Sequence, residues 1–209
     1  MNCDPAVLTL YLVTDRSMLK GLEFPELLRQ AASGGVTCVQ LREKTATGGE
    51  FYRLALEAAR VLEPLGVPLI INDRADIAAA VPCLGVHLGQ HDLPIDAARK
   101  ILGPGRVIGI SVNTPEEALA AERAGADYLG ASPVYLTGTK TDTDPAIGPE
   151  GLGLIAAAVR IPVVGIGGIN AANAALMKPA GAAGICVVSA ICAAPDPAAA
   201  ARQLRAAFR

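Results

Sequence analysis

Tryptophan is absent from this chain, and aromatic residues make up only 3% of it. Platforms for single-stranded nucleic acid need such rings, and duplex binding needs clustered cations. The formal net charge is -2, with no basic patch. Nucleic acid is therefore not an expected partner. Cysteine occurs five times, an odd number, and no CxxC pair is present. That leaves the ligand spacing of a zinc site unmet. Cys38 and Cys186 lie in strand-like runs, which suits reduced, packed thiols and a cytoplasmic location. Long apolar runs are also missing. The best stretch, residues 156–169, is broken by Arg160, Pro162 and glycines, so no bilayer span is expected. No basic amphipathic helix points to a membrane surface. The run from Ala6 to Val13 leads straight into Asp15 and Arg16 and reads as a buried strand, not a signal peptide.

What the chain does have is apolar content, 52% of 209 residues, with 18% charged. That is enough for one core and argues against disorder. Short apolar runs recur at Leu8–Thr14, Cys38–Arg42, Pro68–Asn72, Gly85–Leu88, Val107–Ser111, Tyr128–Ala131, Pro162–Gly165 and Gly184–Val188. Apolar on both faces, they suit a parallel sheet covered by helices. Helical segments are expected between them, at Phe24–Ser33, Glu50–Leu65, Pro94–Leu102 and Pro115–Ala124. Thr114 and Glu117 form a capping-box pattern before the last of these. Glycines at 34–35, 66, 103, 125 and 181 mark helix ends, because glycine accepts the left-handed conformation there. Eight such units without a linker predict a single (β/α)₈ TIM barrel over residues 1–209. An open doubly wound sheet is the rival fold, but the glycines at 165, 167 and 168 leave the dinucleotide fingerprint incomplete at Asn170.

Barrel active sites gather at the C-terminal ends of the strands, and polar residues recur there. Asp15 follows the first strand. Gln40, Arg42 and Lys44 close the second; Asn72 and Asp73 close the third. Gln90 and Asp92 follow the fourth, and Ser111 ends the fifth. Thr137, Thr139 and Lys140 lie in a long loop after the sixth, Gly167 and Gly168 follow the seventh, and Ser189 follows the eighth. Alternation turns Val39 and Leu41 to the helices and Gln40, Arg42 and Lys44 inward. Two cations in one mouth repel unless an anion joins them, and a pyrophosphate suits both. Asp73 and Asp92, with phosphate oxygens, would make a magnesium site, although each could instead cap a helix. The glycine pair and Ser189 suit a phosphate held by backbone N–H groups; a tight turn without ligand is the alternative. His87 reads as a strand residue with a satisfied ring.

The stretches Leu10–Asp15, Val39–Lys44, Ile70–Arg74, Val86–Gln90 with Asp92, Gly109–Ser111, Pro133–Tyr135 with Thr137, Thr139 and Lys140, Gly167–Ile169 and Val188–Ser189 together resemble the thiamine phosphate synthase family. That resemblance covers nearly the whole chain. It implies a Mg²⁺-dependent transferase that joins an aminopyrimidine pyrophosphate to a thiazole phosphate, releasing pyrophosphate. It also implies that Gln40, Arg42, Lys44, Asn72, Ser111 and Lys140 contact the pyrimidine pyrophosphate, with Arg42, Lys44, Ser111 and Lys140 catalytic. Asp73 and Asp92 would hold the metal. Thr137, Thr139, Gly168, Val188 and Ser189 would contact the thiazole phosphate. Three rivals share the barrel. A thiazole tautomerase would carry a histidine just past strand five, where this chain reads Ser111-Val112-Asn113. A Schiff-base aldolase would need a lysine within a strand. A non-catalytic phosphate-binding barrel would have lost Asp73, Asp92 or Lys140.

Overall fold

A computed structural model describes residues 3–137 and 145–209. Eight strands, β1 (Leu10–Val13), β2 (Cys38–Leu41), β3 (Leu69–Asn72), β4 (Gly85–Leu88), β5 (Val107–Val112), β6 (Tyr128–Ala131), β7 (Val163–Ile166) and β8 (Gly184–Val187), run parallel and close in chain order. Leu12 pairs with Val39 on one side and with Val187 on the other, so no sheet edge remains. Closure excludes the open doubly wound sheet. Each predicted strand sits where expected, with ends that differ by up to two residues; β5 and β7 each run one residue further than expected, to Val112 and Ile166.

The helices are α1 (Phe24–Ser33), α2 (Gly48–Leu62), α3 (Ala75–Ala80), α4 (Ile95–Leu102), α5 (Pro115–Ala124), α6 (Gly148–Ala158), α7 (Ser189–Cys192) and α8 (Pro197–Ala207). Glycine ends several as expected, with φ of 67° at Gly66 and 96° at Gly125. After β7 there is only a 3-10 turn, Ala174–Leu176. Two caps differ from the sequence reading. Thr114 does accept from the Glu117 N–H, but the Glu117 carboxylate reaches past it to the Asn113 N–H at 2.7 Å. A complete capping box stands instead at Thr47 and Glu50, before α2.

Alternation divides the strand side chains between two cores. Val39 and Leu41 pack outward with the helices, while Tyr11, Val13, Cys38, Ile70, Tyr128 and Val164 fill the barrel. Two tyrosines fit inside because their neighbours are small. A Cβ at Gly109 would lie 2.1 Å from Tyr128 Cζ, so the ring occupies the space a side chain would need. At the N-terminal end of the strands, the buried Asp127 carboxylate accepts from the Ile108 N–H and from Arg99. That contact braces the fold away from the mouth.

Candidate functional site

The segment after β2 builds the first part of the mouth. Gln40 is buried and its Nε2 donates to the Tyr11 hydroxyl at 2.7 Å. Beyond the strand, the Arg42 N–H donates to Thr14 Oγ1 at 3.2 Å, which prolongs the β1–β2 pairing. Glu43 turns outward, where Arg16 grips its carboxylate through two bonds of 2.6 and 3.0 Å. Fixing Glu43 outside turns Arg42 and Lys44 toward the cavity, as the alternation required. Lys44 is not left for a ligand alone: its Nζ lies 2.6 Å from Asp73 Oδ2.

Asp73 carries φ of 61°, a left-handed conformation costly for any residue with a Cβ. Bonds from the Asp73 N–H to the His87 carbonyl (2.8 Å) and from the Arg74 N–H to the Asn72 carbonyl (2.7 Å) hold it there. The helix-cap alternative fails for both acids. Arg74 occupies the cap position of α3, and Pro94 that of α4. Asp92 instead accepts from the Gly89 N–H at 2.6 Å. Its pKa is raised, first by burial and then by the neighbouring Asp73 carboxylate, against the pull of the Gly89 N–H and Lys44. Two carboxylates in repulsive contact at a polar mouth fit a hard divalent cation. Among the described residues no cluster of three or more His, Cys, Asp or Glu could hold a metal. Any cation here would complete its shell with water or substrate oxygens.

The opposite side of the mouth is made of backbone. The loop after β6 lies along the end of β7: the Val134 N–H donates to Ile166 O at 2.8 Å and the Tyr135 N–H to Gly167 O at 3.0 Å. Gly168 has φ of 63°, and a Cβ on it would lie 2.7 Å from Tyr135 Cβ. The glycine pair is thus required by the neighbouring loop, whatever it also binds. Asn173 secures the turn, donating to Gly168 O and accepting from the Asn170 N–H. The Gly168 and Ser189 N–H groups engage no described residue.

Sequence reasoning missed the floor. Inside the barrel the Tyr11 and Tyr128 hydroxyls are 2.9 Å apart, Tyr128 Oη is 2.8 Å from His87 Nδ1, and His87 Nε2 is 3.0 Å from Ser111 Oγ. Burial pushes both phenol pKa values well up, so both hydroxyls stay protonated. The signal that could have found this chain of contacts was Tyr11 and His87 at inward strand positions. A phenol buried inside a barrel needs a partner.

These parts enclose one cavity of about 620 Å³. Gln40, Arg42, Lys44, Asn72, Asp73 and Asp92 line one side of it. Ser111, Thr137, Gly168, Val188 and Ser189 complete the wall. Thr139 and Lys140 lie outside the described residues. Two strand-end residues do not reach the cavity. Asp15 is spent on the Ser17 N–H and hydroxyl, and Gln90 donates to the Ser111 carbonyl at 2.7 Å. His91 is an exposed loop residue.

A family model described as thiamine monophosphate synthase matches residues 10–191, which include all eight strands and the whole cavity wall. The chain belongs to the thiamine monophosphate synthase family. Similar members include the thiamine-phosphate synthase of Syntrophomonas wolfei, 52% identical over 94% of each chain. That of Desulfitobacterium hafniense is 50% identical over 94% of this chain and 95% of its own. Among solved structures, a thiamine phosphate pyrophosphorylase from Pyrococcus furiosus superposes with a TM-score of 0.89 at 41% identity, covering 98% of this chain and 96% of that one. In this family member, then, the mouth of the barrel is where the chemistry is to be sought.

Proposed function

We propose that the chain is a thiamine phosphate synthase, an alkyl transferase that couples an aminopyrimidine pyrophosphate with a thiazole phosphate, or its carboxylated form. Thiamine phosphate and pyrophosphate are the products, with carbon dioxide released as well when the thiazole is carboxylated. The observation that carries this reading is the meeting of cations, two carboxylates and an opposing backbone wall around one cavity, in a chain about half identical to enzymes of that name.

Gln40, Arg42, Lys44, Asn72, Ser111 and Lys140 would bind the pyrimidine pyrophosphate, and Thr137, Thr139, Gly168, Val188 and Ser189 the thiazole phosphate. Asp73 and Asp92 would hold Mg²⁺, which when bound neutralises charge on the pyrophosphate oxygens. The bond that breaks joins a CH₂ on an electron-rich ring to a pyrophosphate oxygen. Electron release from the ring supports positive charge on that CH₂, so cleavage can run ahead of attack by the thiazole nitrogen. Arg42, Lys44 and Lys140 would stabilise the departing anion from fixed positions. Asp73 holds the Lys44 ammonium in place before substrate arrives, and no activated nucleophile is needed.

Two features speak against the tautomerase and aldolase readings. The stretch just past β5, where a tautomerase carries a histidine, has none, and its Asn113 is tied to Glu117 and to the Ser132 carbonyl. No lysine lies within any of the eight strands. The proposal includes a cytoplasmic setting, in keeping with five free thiols. No helix among the described residues is long and apolar enough to cross a membrane.

The test is to incubate the protein with both substrates and Mg²⁺ and to convert product to fluorescent thiochrome. Signal that needs both substrates and disappears with chelator is expected. No thiamine phosphate from folded protein would overturn the reading.

A further inference from the structure

The Gln40–Tyr11–Tyr128–His87–Ser111 chain crosses the barrel from β2 to β5. Four contacts link five side chains, each 2.7 to 3.0 Å long. Every hydroxyl has one hydrogen, and an uncharged imidazole has one N–H. Such a chain can run in two directions only, and the group at its end chooses. Gln40 presents Nε2 to Tyr11, so Tyr11 accepts there and gives its own hydrogen to Tyr128. Tyr128 then donates to His87 Nδ1, which leaves the ring proton on Nε2, facing Ser111 Oγ. Ser111 accepts, and since His87 Nε2 is the one described partner of its Oγ, its own hydrogen is left to point into the cavity that it lines.

The structure assigns Tyr128 as a positioning residue that, through His87, fixes the His87 Nε2–H tautomer and turns the Ser111 hydroxyl hydrogen into the substrate cavity. Tyr128 does not line that cavity; it acts only through the ring beside it. The reverse direction would have His87 accept from Ser111 and withdraw that hydrogen from substrate. A buried relay of this kind sets a donor's direction before substrate binds, which spares reorganisation at the moment of reaction. The kinetic consequence rests on the synthase reading; the tautomer does not.

Two histidines make the measurement direct. In protein labelled with ¹⁵N-histidine, long-range proton–nitrogen spectra distinguish a protonated ring nitrogen from a bare one, and His91→Gln assigns the His87 signals. The expected result in the ligand-free wild type is a proton on Nε2 and none on Nδ1. A proton on Nδ1 overturns the assignment. Gln40→Glu replaces the terminal donor by an acceptor of the same shape and should reverse the chain, moving the His87 proton to Nδ1. The same change in a Tyr128→Phe background should leave His87 unmoved, because the link is cut. An unresponsive His87 in the Gln40→Glu single variant overturns the coupling. Tyr128→Phe keeps the ring over Gly109 and should lower kcat/KM for the pyrimidine pyrophosphate about tenfold, the worth of one neutral hydrogen bond, with KM for the thiazole phosphate unchanged. Kinetics within twofold of wild type would overturn the positioning role. Because the spectra need no substrate and the wild-type spectrum needs no variant, a failure of the synthase reading would be told apart from a failure of this one.

Discussion

The two sides of the mouth use different materials. After β2, β3 and β4 the cavity is lined by charged side chains: Arg42, Lys44, Asp73 and Asp92. After β7 and β8 it is lined by Gly167, Gly168, Val188 and Ser189, where the chemistry available is that of N–H groups and a small hydroxyl. The charged side has been pre-paired, since Lys44 meets Asp73 at 2.6 Å and Asp92 meets the Gly89 N–H. The backbone side is shaped by loop packing, with Gly168 pressed against Tyr135 and Leu136. Under the proposed function this contrast is a division of labour: side-chain charge for a multiply charged leaving group and metal, backbone for a phosphate that only has to be held.

The sharpest break of that contrast is on the metal. Chelation, or the Asp73→Asn, Asp92→Asn double variant, should cut turnover by about 10³ or more, as expected when several kcal/mol of charge neutralisation are lost. The thiochrome assay with and without Mg²⁺ checks this, and full turnover in chelator would remove the metal role. Next comes one cation of the leaving-group set. Lys140→Ala should lower kcat by roughly 10²–10³, the scale of one lost preorganised donor. Single-turnover quench kinetics would read it.

The backbone side is probed by charge. Ser189→Asp should set a negative group against the thiazole phosphate and raise its KM by about tenfold or more, since like charges brought together cost several kcal/mol. Binding of the pyrimidine pyrophosphate should hardly change. Equal loss for both substrates would erase the division between the two sides.

Stability should also divide. Asp92 has a folded-state pKa raised above its ordinary 3.8. Its contribution to stability is therefore fully present below that value and is lost as the pH rises through the raised one. In metal-free protein, Asp92→Asn should melt higher than the parent near neutral pH, and the advantage should vanish toward acid. Mg²⁺ should raise the melting temperature of the parent and not of the variant. The smallest effect is expected on the backbone side. Tyr135 has a buried hydroxyl with no hydrogen-bond partner among the described residues. Tyr135→Phe removes that group and should raise the melting temperature by about 2–4 °C for each kcal/mol recovered, on the order of one. Calorimetry would check both.

How much of this was written in the chain depends on range. Strands, helix ends and the barrel were legible because each unit carries its own periodicity and glycine stop. The inward turn of Gln40, Arg42 and Lys44 followed from alternation alone. Strand ends in a closed barrel must share one face, which made the mouth legible; that rule alone also named Asp15 and Gln90, which do not reach the cavity, and the set of thirteen candidate site residues needed the family resemblance as well. All eleven of them that lie within the described residues line the cavity. Other matters needed partners distant in sequence. That Asp73 faces Lys44 instead of capping α3 depends on a residue 29 positions away. That Gly168 answers Tyr135 depends on how two loops pack. The buried relay from Gln40 to Ser111 joins five strands, and its longest link, Tyr11 to Tyr128, spans 117 positions. Local sequence fixes the period and facing of each strand, because these follow from steric preferences of neighbouring residues. Which inward groups meet is decided only when the barrel closes, because closure alone brings β1, β2, β4, β5 and β6 around one interior where every buried hydroxyl must find a partner.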